Sequence, residues 1–110
     1  MKTSNLAQAL NLQIIQNDFT DREITCAYTS DLLSDVMGNA KDESVLITIQ
    51  AHKNTIAVAT LKDTPAIIVC NNRPIPEEMI EAAKDEGIAI FLTSENQFVI
   101  SGKLYNILNS

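Results

Sequence analysis

The sequence is poor in the residues that most chemistry needs. There is one histidine, His52, and no tryptophan. One histidine without an H-E-x-x-H or a zinc-spaced cluster builds no metal centre, so no metal and no cofactor are expected. The two cysteines, Cys26 and Cys70, lack C-x-x-C spacing and read as buried thiols in a reducing compartment. The only glycines are Gly38, Gly87 and Gly102. That leaves no G-x-G-x-x-G dinucleotide fingerprint and no G-x-x-x-x-G-K-[ST] phosphate loop. Positive charge is also scarce: 8 Lys and Arg against 14 Asp and Glu, a net charge of −6. A nucleic-acid binder needs a basic face, and an anionic membrane surface repels such a chain. No apolar run approaches the roughly 20 residues of a membrane span. Met1-Lys2-Thr3-Ser4-Asn5 lacks a signal-peptide core, so a cytoplasmic location is the default.

What is present is a good supply of core. Hydrophobic residues make up 45% of 110 positions, enough for one domain over residues 1–110 without staples. Residues 4–10 read as a short helix and Leu12–Ile15 as a strand. After the polar turn around Asn17-Asp18 and Asp21 comes a second strand, Ile24–Tyr28. The short gap leaves no room for a crossover helix, so these two strands are expected to pair antiparallel, or one to lie at a sheet edge. Asp31–Ala40 reads as a helix capped by Ser30 or Asp31, with Leu32, Leu33, Val36 and Met37 as its apolar stripe.

The rest alternates. Val45–Ile49 is a strand of the kind buried on both faces. Asn54–Leu61 fits helix or strand, and helix is chosen because a crossover must precede the next strand. Ala66–Cys70 is the clearest strand. Pro76 opens a helix with Glu77 and Glu78 in its first turn, buried through Met79, Ala82 and Ala83 and ended by Gly87. Ile88–Leu92 is a strand, and Gln97–Leu108 closes the chain as a helix with Phe98, Gly102, Tyr105 and Leu108 on one face, Val99 and Leu104 alongside. This rhythm predicts a three-layer α/β/α domain with a mostly parallel sheet of about five strands.

In such a sheet, ligands bind beyond the carboxyl ends of the strands. Four polar corners are expected there: Thr29-Ser30-Asp31, Gln50 to Asn54, Asn71-Asn72-Arg73 and Thr93 to Asn96. Helix N-termini, Lys53 and Arg73 suit this edge to an anion. The candidate ligand-binding residues are Thr29, Ser30, Asp31, Gln50, His52, Asn54 and Arg73. Helix capping and turn formation explain the same residue types, and no catalytic residue is assigned.

Asp21-Arg22-Glu23-Ile24-Thr25, then Tyr28 through Met37 (Y-T-S-D-L-L-S-D-V-M), then Ile47-Thr48-Ile49-Gln50-Ala51-His52, Ala57-Val58-Ala59 and Gly102-Lys103-Leu104-Tyr105 run in collinear order. Together they resemble the DRTGG domain family, which is similar to the N-terminal domains of HPr kinase/phosphorylase and of Mur ligases. Members usually carry a Gly-Gly pair after the threonine, where this chain has Cys26-Ala27. If those glycines admit a close ligand or partner backbone, that approach is partly blocked here.

Members of this family occur alone, beside CBS domains in regulatory pyrophosphatases, or joined to phosphotransacetylase. The resemblance therefore implies a non-catalytic regulatory module that supports dimer contacts. The expected partners are a second copy, a small phosphorylated metabolite or nucleotide, or another protein. One alternative is a purely structural dimerisation or adaptor module, marked by an exposed apolar patch on Ile56–Leu61 or on the last helix. The other is a small phosphohydrolase, which needs Asp31, Asp35 and His52 to converge.

Overall fold

The computed structural model describes residues 1–110. A 3-10 turn (Thr3–Asn5) leads into α1 (Leu6–Leu10) and then β1 (Gln13–Gln16). The parallel part follows: β2 (Ala27–Thr29), α2 (Leu33–Asn39), β3 (Val45–Thr48), α3 (Lys53–Leu61), β4 (Ala66–Val69), α4 (Glu77–Glu86), β5 (Ala89–Leu92) and α5 (Gln97–Leu108). The sheet order is β1-β5-β4-β3-β2. Strands β2 to β5 are parallel, and β1 pairs antiparallel with β5.

Strand alternation divides the core into two layers. Val45, Ile47, Ala66, Ile68, Ala89 and Phe91 point to the face covered by α1 and α5, meeting Leu6, Leu10, Ile100 and Leu104. Leu46, Ile67, Val69 and Ile90 point to the face covered by α2, α3 and α4, meeting Val36, Ile56, Ala59, Met79 and Ala83. Both faces of the central strands are thus buried, which explains their unbroken apolar sequence. The segment 54–61 is helical, as the crossover requirement demanded.

The first two strands do not pair with each other: β1 and β2 occupy opposite edges of the sheet. Glu23 and Ile24 belong to the N-terminal segment instead. Ile24 N–H donates to Met1 O at 2.8 Å, Thr3 N–H donates to Arg22 O at 2.8 Å, and Lys2 bridges Glu23. That zipper shortens β2 to three residues and buries Ile24 beneath α1.

The last helix has its expected bounds and carries apolar residues on two sides. Ile100 and Leu104 are its buried residues, whereas Phe98 is 87% and Tyr105 71% exposed. Leu32 and Met37 of the expected α2 stripe are exposed too, and Val36 alone is fully buried there.

Candidate functional site

The carboxyl ends of β2 to β5 lie along one edge, and Asp31 is the hub of that edge. Its Oδ1 accepts from Thr48 Oγ1 at 3.0 Å, Ile49 N–H at 2.9 Å and Gln97 Nε2 at 2.8 Å. One carboxylate oxygen thus joins the exit of β2, the exit of β3 and the first turn of α5. Neither Ser30 nor Asp31 caps α2, contrary to the sequence expectation. The residue at the cap position is Leu32, and no side chain caps that helix.

The neighbouring candidates are also engaged within the chain. Thr29 Oγ1 lies 2.7 Å from Ser101 Oγ on α5. Ser30 Oγ accepts from Leu32 N–H at 3.2 Å. At the β4 exit, Asn71 and Asn72 both adopt left-handed φ, 59° and 52°. Their amides donate to Glu95 O and Thr93 O, tying that corner to the β5 exit. Cys70 is buried beneath it, and burial, helped by the nearby Asp31 and Glu95 charges, pushes its thiol up to about 11.

A second group has side-chain capacity to spare. Gln50, His52, Asn54 and Arg73 are exposed. His52 Nδ1 accepts from Asn54 N–H at 3.0 Å and so caps α3, leaving Nε2 free. Arg73 makes no ion pair, whereas Lys53 lies 3.6 Å from Glu78. Of the seven candidates, Thr29 lines a groove between β2 and α5 and Asn54 a shallow groove along α3 and α4. Ser30, Asp31, Gln50, His52 and Arg73 line none.

Asp31, Asp35 and His52 share no partner. Asp35 accepts from Tyr28 OH at 2.9 Å and Asn39 Nδ2 at 2.8 Å. Ser30, Asn39 and Tyr28 hold its carboxyl below the ordinary carboxylate value, and the hydrogen bond to Asp35 in turn raises the Tyr28 phenol. The Asp21-Arg22 pair lies at the other end of the sheet. Arg22 reaches Glu43 and Asp63, in the turns before β3 and β4, while Asp21 accepts from Ser4 N–H and Oγ. Cys26 and Ala27 stand at the open β2 edge.

Sequence reasoning missed two participants, Thr48 and Gln97. Thr48 lies inside the Val45–Ile49 run, whose pattern marks it only as a strand residue. Gln97 sits at the first position of α5, on the same corner as the noted Thr93 to Asn96 turn, and that position was the available signal.

The winding and the two-sided helical cover define a small three-layer α/β/α domain. A family profile described as HPr Serine kinase N terminus matches residues 43–108, and the chain belongs to that family. Curated relatives include the HPr kinase/phosphorylase of Streptococcus uberis, 36% identical over 72 residues, and that of Streptococcus agalactiae serotype Ia, 39% identical over 72 residues. Each match covers 64% of this chain but only 23% of the relative. In shape, the chain is similar to the CBS and DRTGG domains of the regulatory region of Clostridium perfringens pyrophosphatase, a structure complexed with its activator, diadenosine tetraphosphate. The TM-score is 0.72 at 15% identity, over 93% of this chain and 45% of that one, so the likeness is one of fold.

Proposed function

We propose that this chain is a non-catalytic regulatory module that works as a homodimer and senses a phosphorylated metabolite of the nucleotide type. The observation that carries the reading is the division of the strand-exit edge. Thr29, Ser30 and Asp31 brace the edge internally, while exposed Gln50, His52, Asn54 and the unpaired Arg73 retain donors for a ligand. A guanidinium and neutral donors beyond the carboxyl ends of β3 and β4 suit phosphate oxygens. The nucleotide activator of the pyrophosphatase regulatory region supports that ligand class. Asp31, Asp35 and His52 are each committed to different partners, so no hydrolytic role is proposed for them. A cytoplasmic setting and one domain over 1–110 complete the reading.

The test is a thermal-shift titration with diadenosine tetraphosphate, ATP, ADP and acetyl phosphate, repeated on Arg73→Ala and His52→Ala. Binding to the folded state raises the melting temperature with ligand concentration. The expected rise is lost in Arg73→Ala. A flat response at millimolar ligand across the panel would remove the small-molecule reading.

The runner-up is a ligand-free dimerisation or adaptor module. The exposed aromatic rings of Phe98 and Tyr105 favour it, and it keeps the dimer while giving up the metabolite.

A further inference from the structure

The open edge of the sheet is β2, a strand of only three residues. Sheet edges are normally blunted by charge, proline or a bulge. The β1 edge has a bulge between Ile14 and Gln16. The β2 edge, Ala27-Tyr28-Thr29, has none of these devices. Cys26 O accepts from Val45 N–H, and Ser30 N–H donates to Ile47 O. Residues 26, 28 and 30 therefore face β3. By strand alternation, Ala27 and Thr29 aim their amides and carbonyls outward.

Beside that edge runs the exposed side of α5. Ser101 touches Thr29 of β2, and Phe98 and Tyr105 flank it along the same side of the helix. The groove between them measures about 320 Å3 and is lined by Thr25, Cys26, Ala27, Ile47, Ser101 and Tyr105 among others, none of them charged. On a chain of net charge −6 that is a selective absence. The acidic helix α4 lies over β1 and β5, at the far side of the sheet from β2. The groove itself is thus free of charge, and the carboxylate nearest the edge, Asp35, is tied up by Tyr28 OH at 2.9 Å and Asn39 Nδ2 at 2.8 Å.

We propose that the occupant is a second copy of this chain, pairing β2 antiparallel with its own β2 about a two-fold axis at Tyr28; this interface rests on the homodimer reading above. Among antiparallel registers, the one that sets Tyr28 opposite its counterpart brings each Ala27 against a Thr29. All four outward-facing residues then exchange hydrogen bonds, four in number, which other registers do not achieve. The same axis lays the two α5 helices antiparallel on one face. Because α5 rests over β2 and β3, their axes fall about 10 Å apart, within helix-packing distance.

Ser101, on the β2 side of the helix, lies near the crossing, where a small residue permits close approach. Phe98 of each copy meets the Tyr105 end of the other. Covering the two rings removes roughly 300 Å2 per protomer from water, more than a third of the ~800 Å2 a standard interface needs. The paired β2 strands and groove walls supply further area. A dimer of this form is isologous, and it closes the sheet edge into a ten-stranded whole.

Light scattering over a concentration series tests this on the wild type, Ala27→Pro and Tyr105→Glu. Ala27→Pro deletes an outward donor without touching the β2–β3 ladder. Tyr105 is exposed, so its replacement leaves the fold intact, as circular dichroism would verify. Each variant is expected to weaken self-association roughly tenfold or more. Leu61→Glu, on exposed α3, is expected to leave it unchanged.

Phe98→Cys with Tyr105→Cys, in a Cys26→Ser background, provides a positive readout, because both positions are exposed and each faces the other across the axis while lying two helical turns apart within one protomer. An oxidised, disulfide-linked dimer is expected. A wild type that stays monomeric at high micromolar concentration overturns both this interface and the homodimer reading, and leaves the edge to a different strand. A dimer that survives both Ala27→Pro and Tyr105→Glu overturns the interface alone.

Discussion

Gln97 Nε2 lies 2.8 Å from Asp31 Oδ1, across 66 residues of sequence, on the oxygen that also receives Thr48 Oγ1 and Ile49 N–H. This contact fixes the start of α5 against the strand exits. Removing the carboxylate leaves a half-buried amide and two side-chain donors without their acceptor. Asp31→Ala is expected to lower stability by about 1–3 kcal/mol in chemical denaturation. Asp31→Asn keeps a carbonyl oxygen and is expected to lose less. Equal stability of Asp31→Ala and wild type would show that the brace contributes nothing.

At the opposite end of the sheet, Arg22 spans two turns. Its Nη2 sits 3.0 Å from Glu43 and 3.2 Å from Asp63, and Nη1 adds a 3.3 Å contact to Asp63. Glu43 and Asp63 both hold left-handed φ, 69° and 54°, so the guanidinium joins two unfavourable turns. The carboxylates are largely exposed, which limits the strength of each pair. Arg22→Ala is expected to cost about 1 kcal/mol, an effect that shrinks as salt is added. Lysine lacks the planar fork and is expected to restore only part. Ligand-dependent melting shifts in Arg22→Ala should match wild type, since Arg22 lies far from the strand-exit edge. A variant that folds normally but loses the shift would place the motif in binding instead.

These two contacts mark what the sequence does and does not display. The β-branched runs at Val45, Ala66 and Ile88 and the Pro76 and Gly87 signals are local, and they set the strands, the crossovers and hence the parallel order. The bounds of α5 were legible for the same reason. Its orientation was not, because apolar residues occupy two of its sides. Ile100 and Leu104 face the sheet, while Phe98 and Tyr105 face outward, and periodicity does not distinguish the two. The pairing of residues 23–24 with residues 1–3 was hidden because a three-residue N-terminal segment carries no strand pattern. Asp31 looked like a cap because helix caps and long-range braces draw on the same residue types. Only the fold shows that Thr48, Ile49 and Gln97 reach it first.

The Tyr28–Asp35 hydrogen bond, 2.9 Å, predicts a dependence on pH at both extremes. Ser30, Asn39 and Tyr28 lower the Asp35 pKa from its ordinary 3.8, so its contribution is present above that value and lost as pH falls through the lower folded one. The bond to Asp35, with burial and its charge behind it, raises the Tyr28 pKa above its ordinary 10.0. That contribution is present below 10.0 and lost as pH rises through the higher folded value. Melting temperature against pH should therefore flatten at both ends in Asp35→Asn. Tyrosinate absorbance of Tyr105→Phe, which leaves Tyr28 as the only phenol, should show ionisation later in the folded chain than in the denatured one. Coincident titrations would remove the coupling.

Two glycines at helix ends should respond in opposite directions to the same substitution. Gly87 follows α4 with φ 67°, and a Cβ there would sit 3.2 Å from Thr20 Oγ1 while Thr20 N–H donates to Gly87 O. Alanine would meet both the left-handed backbone penalty and a crowded neighbour. Gly87→Ala is expected to destabilise by about 1–2 kcal/mol. Gly38 lies within α2, and a Cβ there meets nothing within 4 Å. Alanine would lower the entropy of the unfolded chain and favour helix, so Gly38→Ala is expected to stabilise by about 0.5–1 kcal/mol. Urea midpoints of the two variants, compared with wild type, check both signs. A neutral Gly87→Ala would mean that the α4–β5 turn and the Thr20 loop that packs on it relax without cost.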